Sequence, residues 1–284
     1  MKKPFKAYLI TIIVITLSIL AVFSGVILVI QDRLLFMETN DPESREYLRY
    51  RPGFSEVEFT SKNGKTYNGV MYTSAAENAP LVIYFGGNAD CSYRYMRGMD
   101  TKKNWRYFAG WNYLCVDYEG YGINSGHAHY LKMYEHALAV YDYALTLSGV
   151  DSERIVTMGF SLGTGSAVYL AANRPVAAMI LAAPYANGYD LYNSMIPVFA
   201  GPLKLLVKQK LPSDKYAADV KCPVLVFASR ADEMVPFASS RKLVETFPGQ
   251  VDFVELDNVS HNSIFGKEGV YDRIQSFLGD IRRF

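Results

Sequence analysis

Three cysteines, Cys91, Cys115 and Cys222, are all that the 284-residue chain contains. They are too few and too scattered for a disulfide framework or a zinc site, and Cys115 and Cys222 sit in apolar runs that suit buried thiols. An excess of one charge is missing as well. The chain has 29 Lys and Arg against 28 Asp and Glu, a formal net charge of +1, which removes the electrostatic basis for a nucleic-acid partner. Histidine is scarce, at four residues. His127 and His129 form an H-x-H pair, but no third ligand is evident, so no metal site is expected. Hydrophobic residues, by contrast, make up half the chain. That composition fits a globular domain plus a more apolar element and excludes a disordered or fibrous protein.

The apolar element is N-terminal. From Ala7 to Ile30 no residue is charged, and as a helix at about 1.5 Å per residue this run reaches roughly 36 Å, more than a hydrocarbon core of about 30 Å. A cleaved signal peptide would have a shorter apolar stretch ending at a small-x-small site, whereas this run continues into Val26–Ile30. Residues 1–30 therefore read as a single-pass transmembrane anchor. Lys2, Lys3 and Lys6 precede it, and Asp32, Glu38 and Asp41 dilute Arg33 after it. This asymmetry places the N-terminus in the cytoplasm and the following domain outside. Residues 31–53, polar with scattered aromatics, read as a juxtamembrane connector, and residues 54–284 as one domain of a size that buries a full core.

Val57–Thr60 and Thr66–Thr73 flank Asn63-Gly64, a type I′ turn pair, so a hairpin is expected there. Beyond it, short continuous apolar runs recur at Leu81–Phe85, Tyr113–Val116, Ile155–Gly159, Ala178–Ala182, Val224–Ala228 and Phe253–Leu256. Such runs fit strands buried on both faces of a parallel sheet. Segments of helical spacing lie between them, at Leu131–Leu147, Ser166–Asn173, Ser239–Phe247 and Val270–Ile281, as crossover helices would. Tyr185–Tyr216 is longer than an ordinary connection and rich in apolar residues, including Met195, Ile196 and Phe199. It reads as an inserted, partly helical cap. Within it Lys204, Lys208 and Lys210 interleave with Leu205, Leu206 and Val207 as on a solvated helix face.

Chemistry concentrates in Gly159-Phe160-Ser161-Leu162-Gly163. Alone the pattern is weak, but it follows the run Arg154–Met158 and precedes a Gly-, Ser- and Ala-rich helical stretch. Ser161 then occupies a tight strand-to-helix turn with its hydroxyl exposed. A serine needs a base. His261 lies after the final apolar run, whereas His127, His129 and His136 precede Ser161, so the order serine, acid, histidine selects His261. The acid is expected after Val224–Ala228, where Asp232 is the choice, Glu233 its neighbour and rival, and Asp257 a third candidate close to His261. Two backbone N–H groups are needed for an oxyanion. Leu162, following the candidate nucleophile, supplies one, and Asn88 in the glycine loop Gly86-Gly87-Asn88-Ala89 supplies the other.

These motifs together resemble the α/β-hydrolase superfamily, and within it the membrane-anchored, serine-aminopeptidase-like α/β-hydrolase domain-containing proteins. The resemblance covers Phe54–Phe284 and rests on Phe85–Ala89, Asp117-Tyr118-Glu119-Gly120-Tyr121-Gly122 with Ser125-Gly126, Gly159–Gly163, Asp232 with Val235-Pro236, and His261. It implies an α/β fold with an eight-stranded, mostly parallel sheet flanked by helices, a variable cap, and no metal or organic cofactor. Relatives usually read His-Gly-Asn in the oxyanion loop, where this chain has Gly86. The Asp117–Gly126 turn is expected to be structural. The function expected is hydrolysis of carboxylic esters or thioesters with a hydrophobic, lipid-like acyl group through an acyl-serine. A peptidase-like amide hydrolase and a non-catalytic membrane-tethered binding protein are the alternatives.

Overall fold

A computed structural model describes residues 3–195, 199 and 201–281. Ile196 of the expected cap, Lys2 of the basic flank and the last three residues lie outside the described residues. The chain begins with one long helix, α1 (Lys3–Leu35), which is long and apolar enough to cross a membrane. Its large side chains from Tyr8 to Val26 are mostly exposed, while Ile27, Gln31 and Leu35 are buried. Those three residues are spaced four apart and form a single stripe, so the last two turns dock on the rest of the protein. The segment expected to be a plain connector contains a second helix, α2 (Pro42–Arg49). Asp41 caps it by accepting the Ser44 N–H at 3.0 Å, and Pro42 occupies the first turn, where a missing N–H costs nothing.

Strands β1 (Phe54–Thr60) and β2 (Thr66–Tyr72) form the antiparallel hairpin, with Thr60 opposite Thr66. Its turn is not type I′. Ser61 N–H donates to Lys65 O, Gly64 N–H donates to Ser61 O, and Gly64 has a φ of +77° while Asn63 does not turn left-handed. Three residues thus close the hairpin as a type I turn followed by a left-handed glycine, because the Ser61–Lys65 pair extends the ladder by one step.

The continuous apolar runs become the core of the sheet. β3 (Ala79–Phe85) leads into α3 (Ser92–Thr101), then β4 (Asn112–Val116), α4 (Tyr130–Ala144), β5 (Val150–Phe160), α5 (Gly163–Asn173) and β6 (Ala178–Ala182). After α6 (Gly188–Met195), a 3-10 turn at Gly201–Leu206 and α7 (Ser213–Ala217), the chain returns as β7 (Val224–Ser229), α8 (Phe237–Val244), β8 (Val251–Leu256) and α9 (Val270–Ile281). The eight strands lie in the order β1-β2-β4-β3-β5-β6-β7-β8. β2 is antiparallel to both its neighbours, and the other pairings are parallel. Every residue of β3, β4, β6 and β7 is buried, as strands covered by helices on both faces require. Cys115 is buried as expected, but Cys222, just before β7, is only half-buried. The lysines of residues 201–210 are not simply solvated: Lys204 sits over the Tyr189 ring and Lys208 pairs with Asp32 at 2.7 Å.

At the edge where β2 meets β4, the buried Asn124 ties the turn after β4 to the sheet. Its Oδ1 accepts the Asn68 N–H at 2.8 Å, and its Nδ2 donates to Asp117 O at 2.5 Å. Asn124→Ala leaves both backbone groups unpaired, and we expect a loss of about 1–3 kcal/mol in urea unfolding. A stability unchanged from wild type would show that water replaces the side chain.

Candidate active site

The sequence Gly159–Gly163 forms the sharp turn between β5 and α5, and its tip is Ser161, with a φ of +50°. Both glycines are required by close approach. A Cβ on Gly159 would lie 2.8 Å from Gly163 O and from Thr164 Cα, and one on Gly163 would run into Phe85 O and lie 2.5 Å from Gly86 O. Two contacts hold the strained tip. Ser161 N–H donates to Ala182 O at the end of β6 (2.9 Å), and Ser161 O accepts both the N–H and the hydroxyl of Thr164 (3.0 and 2.6 Å). The hydroxyl of Ser161 is thereby lifted off the sheet at the positive end of α5.

Loops from the carboxyl ends of β7 and β8 meet it there. His261 Nε2 lies 2.9 Å from Ser161 Oγ, and His261 Nδ1 lies 2.8 and 3.0 Å from the two Asp232 oxygens. The side chains of His261 and Asp232 are 6% and 2% exposed, so this chain of hydrogen bonds is shielded from water. Asp232 Oδ1 also accepts the N–H groups of Met234 and Val235, at 2.9 and 2.8 Å. An acceptor on that side fixes the tautomer: Nδ1 carries the proton and Nε2 is free to take one from Ser161. The two loops are themselves joined, since Ser229 Oγ donates to Val259 O at 2.5 Å and Arg230 N–H to Leu256 O at 3.0 Å. The rival acids go elsewhere. Glu233 accepts the His261 backbone N–H at 3.1 Å, and Asp257 is exposed beside Arg230. The glutamate's contact is a supporting role that adjacent carboxylates in a sequence give no means of separating.

The glycine loop after β3 approaches from the other side. A Cβ on Gly87 would lie 2.8 Å from the Phe160 ring and 3.5 Å from Ser161 Cβ, so only glycine lets this backbone come so near. The N–H groups of Leu162 and Asn88 have no acceptor among the described residues. Asn88 makes a contact unforeseen from the sequence: its Oδ1 accepts the N–H of Met37 and the hydroxyl of Tyr121, each at 2.7 Å. Phe160 was likewise not singled out, yet its ring packs on His261 at 5.0 Å between centroids. The remaining histidines stay apart. His127 faces Glu38 at 3.2 Å, His129 caps α4 by accepting the Leu131 N–H, and His136 is buried between Tyr67 and Tyr118. No cluster of His, Cys, Asp or Glu suited to a metal occurs among the described residues.

Behind the glycine loop, burial dominates the electrostatics. Asp117 is pushed up to about 7 by desolvation, which outweighs the N–H and hydroxyl that Ser92 donates to it. Asp90 is raised to about 6 for the same reason, and burial lowers the ring of His136 to about 3. Glu119, equally buried, differs in having Lys132 at 2.8 Å.

An eight-stranded sheet in this order, with a left-handed serine at the tip of its fifth strand, is the architecture of the α/β-hydrolases. Residues 125–261, which include Ser161, Asp232 and His261, match the model of the dienelactone hydrolase family. Over 90% of its length the chain is 30% identical to an uncharacterized protein of Mycobacterium tuberculosis, Rv2307c, covering 91% of that protein. It is 28% identical to the mouse α/β-hydrolase domain-containing protein 17C, over 78% of this chain and 67% of the mouse protein. Among solved structures, an esterase of Pyrococcus furiosus, Pf2001, shares the fold with a TM-score of 0.67 at 16% identity, covering 87% of this chain and 95% of the esterase. An acetyl xylan esterase of Paenibacillus sp. R4 does so with a TM-score of 0.65 at 15% identity, over 89% and 98%. The chain belongs to the α/β-hydrolase superfamily, in one family with Rv2307c, and is an enzyme of the hydrolase class.

The raised Asp117 carboxyl has a consequence for stability. The folded state holds its proton more tightly than the unfolded chain, whose value is near 3.9. Its contribution is therefore complete below about pH 4 and is lost as pH rises through about 7. Relative to Asp117→Asn, which does not titrate, the urea midpoint of the wild type is expected to fall between about pH 4 and 7 and to level off above that. A difference between the two that stays constant across this range would show that Asp117 ionises as freely in the folded protein as in the unfolded one.

Proposed function

We propose that the protein is a membrane-anchored serine hydrolase that cleaves carboxylic esters or thioesters through an acyl-Ser161 intermediate. What supports this reading above all is the hydrogen-bonded chain from Ser161 Oγ through His261 to Asp232, at 2.9 and 2.8 Å. His261 Nε2 takes the Ser161 proton as Oγ attacks the carbonyl carbon, and Asp232 steadies the resulting imidazolium without receiving its proton. The amides of Leu162 and Asn88 donate to the tetrahedral oxyanion. Collapse breaks the bond to the alkoxide or thiolate, which leaves with the proton from His261. Water then attacks the acyl-enzyme with His261 as base, and the carboxylic acid departs as Ser161 regains its proton.

In this reading residues 1–30 span the membrane with the N-terminus in the cytoplasm, and residues 54–284 form the extracytoplasmic hydrolase domain. The insertion at 185–216 acts as the cap. Its apolar composition favours a hydrophobic acyl group, since apolar burial supplies most of the affinity in pockets of this kind.

Fluorophosphonate labelling and hydrolysis of p-nitrophenyl esters test the mechanism. Ser161→Ala is expected to lose labelling and at least about 10³-fold in kcat/KM. Wild-type protein that stays unlabelled while folded would refute the reading. The two adjacent acids separate cleanly. Asp232→Asn should cost about 10⁴-fold in kcat by forcing the wrong imidazole tautomer. Glu233→Gln, whose amide oxygen still accepts the His261 N–H, should cost less than about 10-fold. The reverse ranking would move the acid's role to Glu233.

A further inference from the structure

The stretch of chain that leaves α1 is bonded into the site just described. Gln31, buried in the last turns of α1, donates to Leu206 O at 3.0 Å and accepts the Lys208 N–H at 2.7 Å, while Asp32 takes Lys208 Nζ at 2.7 Å and Gln209 Nε2 at 2.8 Å. The end of the helix is thus fastened to residues 206–209. The next residues cross to the other wall. Met37 N–H donates to Asn88 Oδ1 at 2.7 Å, Thr39 O accepts the Gly122 N–H at 2.8 Å, and Glu38 accepts the Ala128 N–H at 3.0 Å with His127 Nδ1 at 3.2 Å. Room for Glu38 exists because residue 120 is glycine: a Cβ there would lie 2.6 Å from Glu38 Cδ.

The backbone of the glycine loop is held on either side of Asn88, where Tyr118 donates to Gly86 O at 3.2 Å and Arg94 to Ala89 O at 2.9 Å, but neither contact fixes Asn88 itself. Gly86 and Gly87 lower the steric restraint on its backbone, and a Cβ on Gly86 would meet nothing nearer than the Tyr84 ring at 3.9 Å. Its order at Asn88 comes from that side chain, whose carbonyl oxygen has both lone pairs engaged, one by Met37 and one by Tyr121.

We infer that residues 37–39 are a positioning element of the active site: Met37 N–H and Tyr121 fix Asn88 so that its backbone N–H faces the oxyanion, and Glu38 fixes residues 37–39. The inference rests on the acyl-Ser161 reading for its catalytic consequence. None of Met37, Glu38 and Tyr121 touches the reacting atoms; they act through Asn88. The helix that enters the membrane and the oxyanion loop then form one mechanical unit, and the anchor is more than a tether.

The test uses the full-length protein in lipid nanodiscs, as wild type, Glu38→Ala, Glu38→Gln and Tyr121→Phe, with hydrogen exchange of residues 86–91 read beside steady-state kinetics on p-nitrophenyl butyrate. Glu38→Ala and Tyr121→Phe are expected to speed exchange in residues 86–91 by about 10-fold while the strands of the sheet exchange as before. Their kcat should fall about 10-fold with KM within about 2-fold of wild type, because the amide is used in the transition state. Glu38→Gln, which keeps one acceptor oxygen for the Ala128 N–H, should recover most of kcat and of the protection. Unchanged exchange at 86–91 in a folded Glu38→Ala protein that still labels with fluorophosphonate overturns the inference alone, as does a loss confined to KM. A wild type that neither labels nor turns over overturns the acyl-serine reading and the catalytic half of the inference with it, while exchange still decides whether residues 37–39 hold the loop.

Discussion

The arrangement depends on one backbone constraint, the left-handed turn at Ser161. A non-glycine residue held there costs of the order of 1–3 kcal/mol, and the surrounding structure has to over-determine it. It does so with three glycines and two hydrogen-bonded neighbours. Gly159 admits the first turn of α5, Gly163 admits the end of β3, and Gly87 admits the glycine loop. Ala182 and Thr164 then fasten the serine's own peptide groups. Together these contacts tie the strand-to-helix turn to β3, β6, α5 and the glycine loop, so the hydroxyl is aimed by the sheet as a whole and not by the turn alone.

Much of this was legible in the sequence because it is local or periodic. The continuous apolar runs placed six strands to within five residues, although β8, at the sheet edge, is buried only at Leu256 and not on both faces as its run suggests. The strand–turn–helix context of Gly159–Gly163 singled out Ser161. Chain order alone singled out His261 from four histidines, and the structure brings it to 2.9 Å from the serine hydroxyl. What escaped notice has particular causes. The helix at Ser92–Thr101 begins after Cys91, whose side chain makes no capping bond, and it carries Gly98, so its start and its propensity are both weak. The helix at Pro42–Arg49 has a clear Asp-Pro start signal, but among polar residues its only buried apolar side chain is Leu48. The hairpin turn followed the Ser61–Lys65 hydrogen bond and not the Asn-Gly pair. Asn88 and Met37 are 51 residues apart, and no spacing rule reaches that far.

The Asp117–Gly126 turn, expected to be structural, shows how a motif can be both structural and consequential. Its glycines at 120, 122 and 126 all have positive φ, and a Cβ on each would strike a carboxylate: Glu38, Asp117 and Glu119 respectively. Three acidic side chains are thus threaded through a single turn, and their fates differ by partner. Glu119 is buried but paired with Lys132, and Glu38 lies beside His127 and receives a backbone N–H. Asp117 has Ser92 and no cation, so desolvation governs it.

That difference explains why the turn can serve as a junction. The buried Asp117 carboxyl fixes the start of α3 to the end of β4 by accepting both the N–H and the hydroxyl of Ser92. The start of α3 follows directly on the glycine loop, and the end of β4 leads directly into Tyr121. Asn88 is therefore gripped between two elements that Asp117 already holds together, with residues 37–39 as the third. A loop made permissive by two glycines needs restraint from outside its own sequence. Here that restraint comes from a buried acid, a tyrosine hydroxyl and the chain emerging from α1, which explains why a glycine can stand at position 86 without leaving the loop disordered.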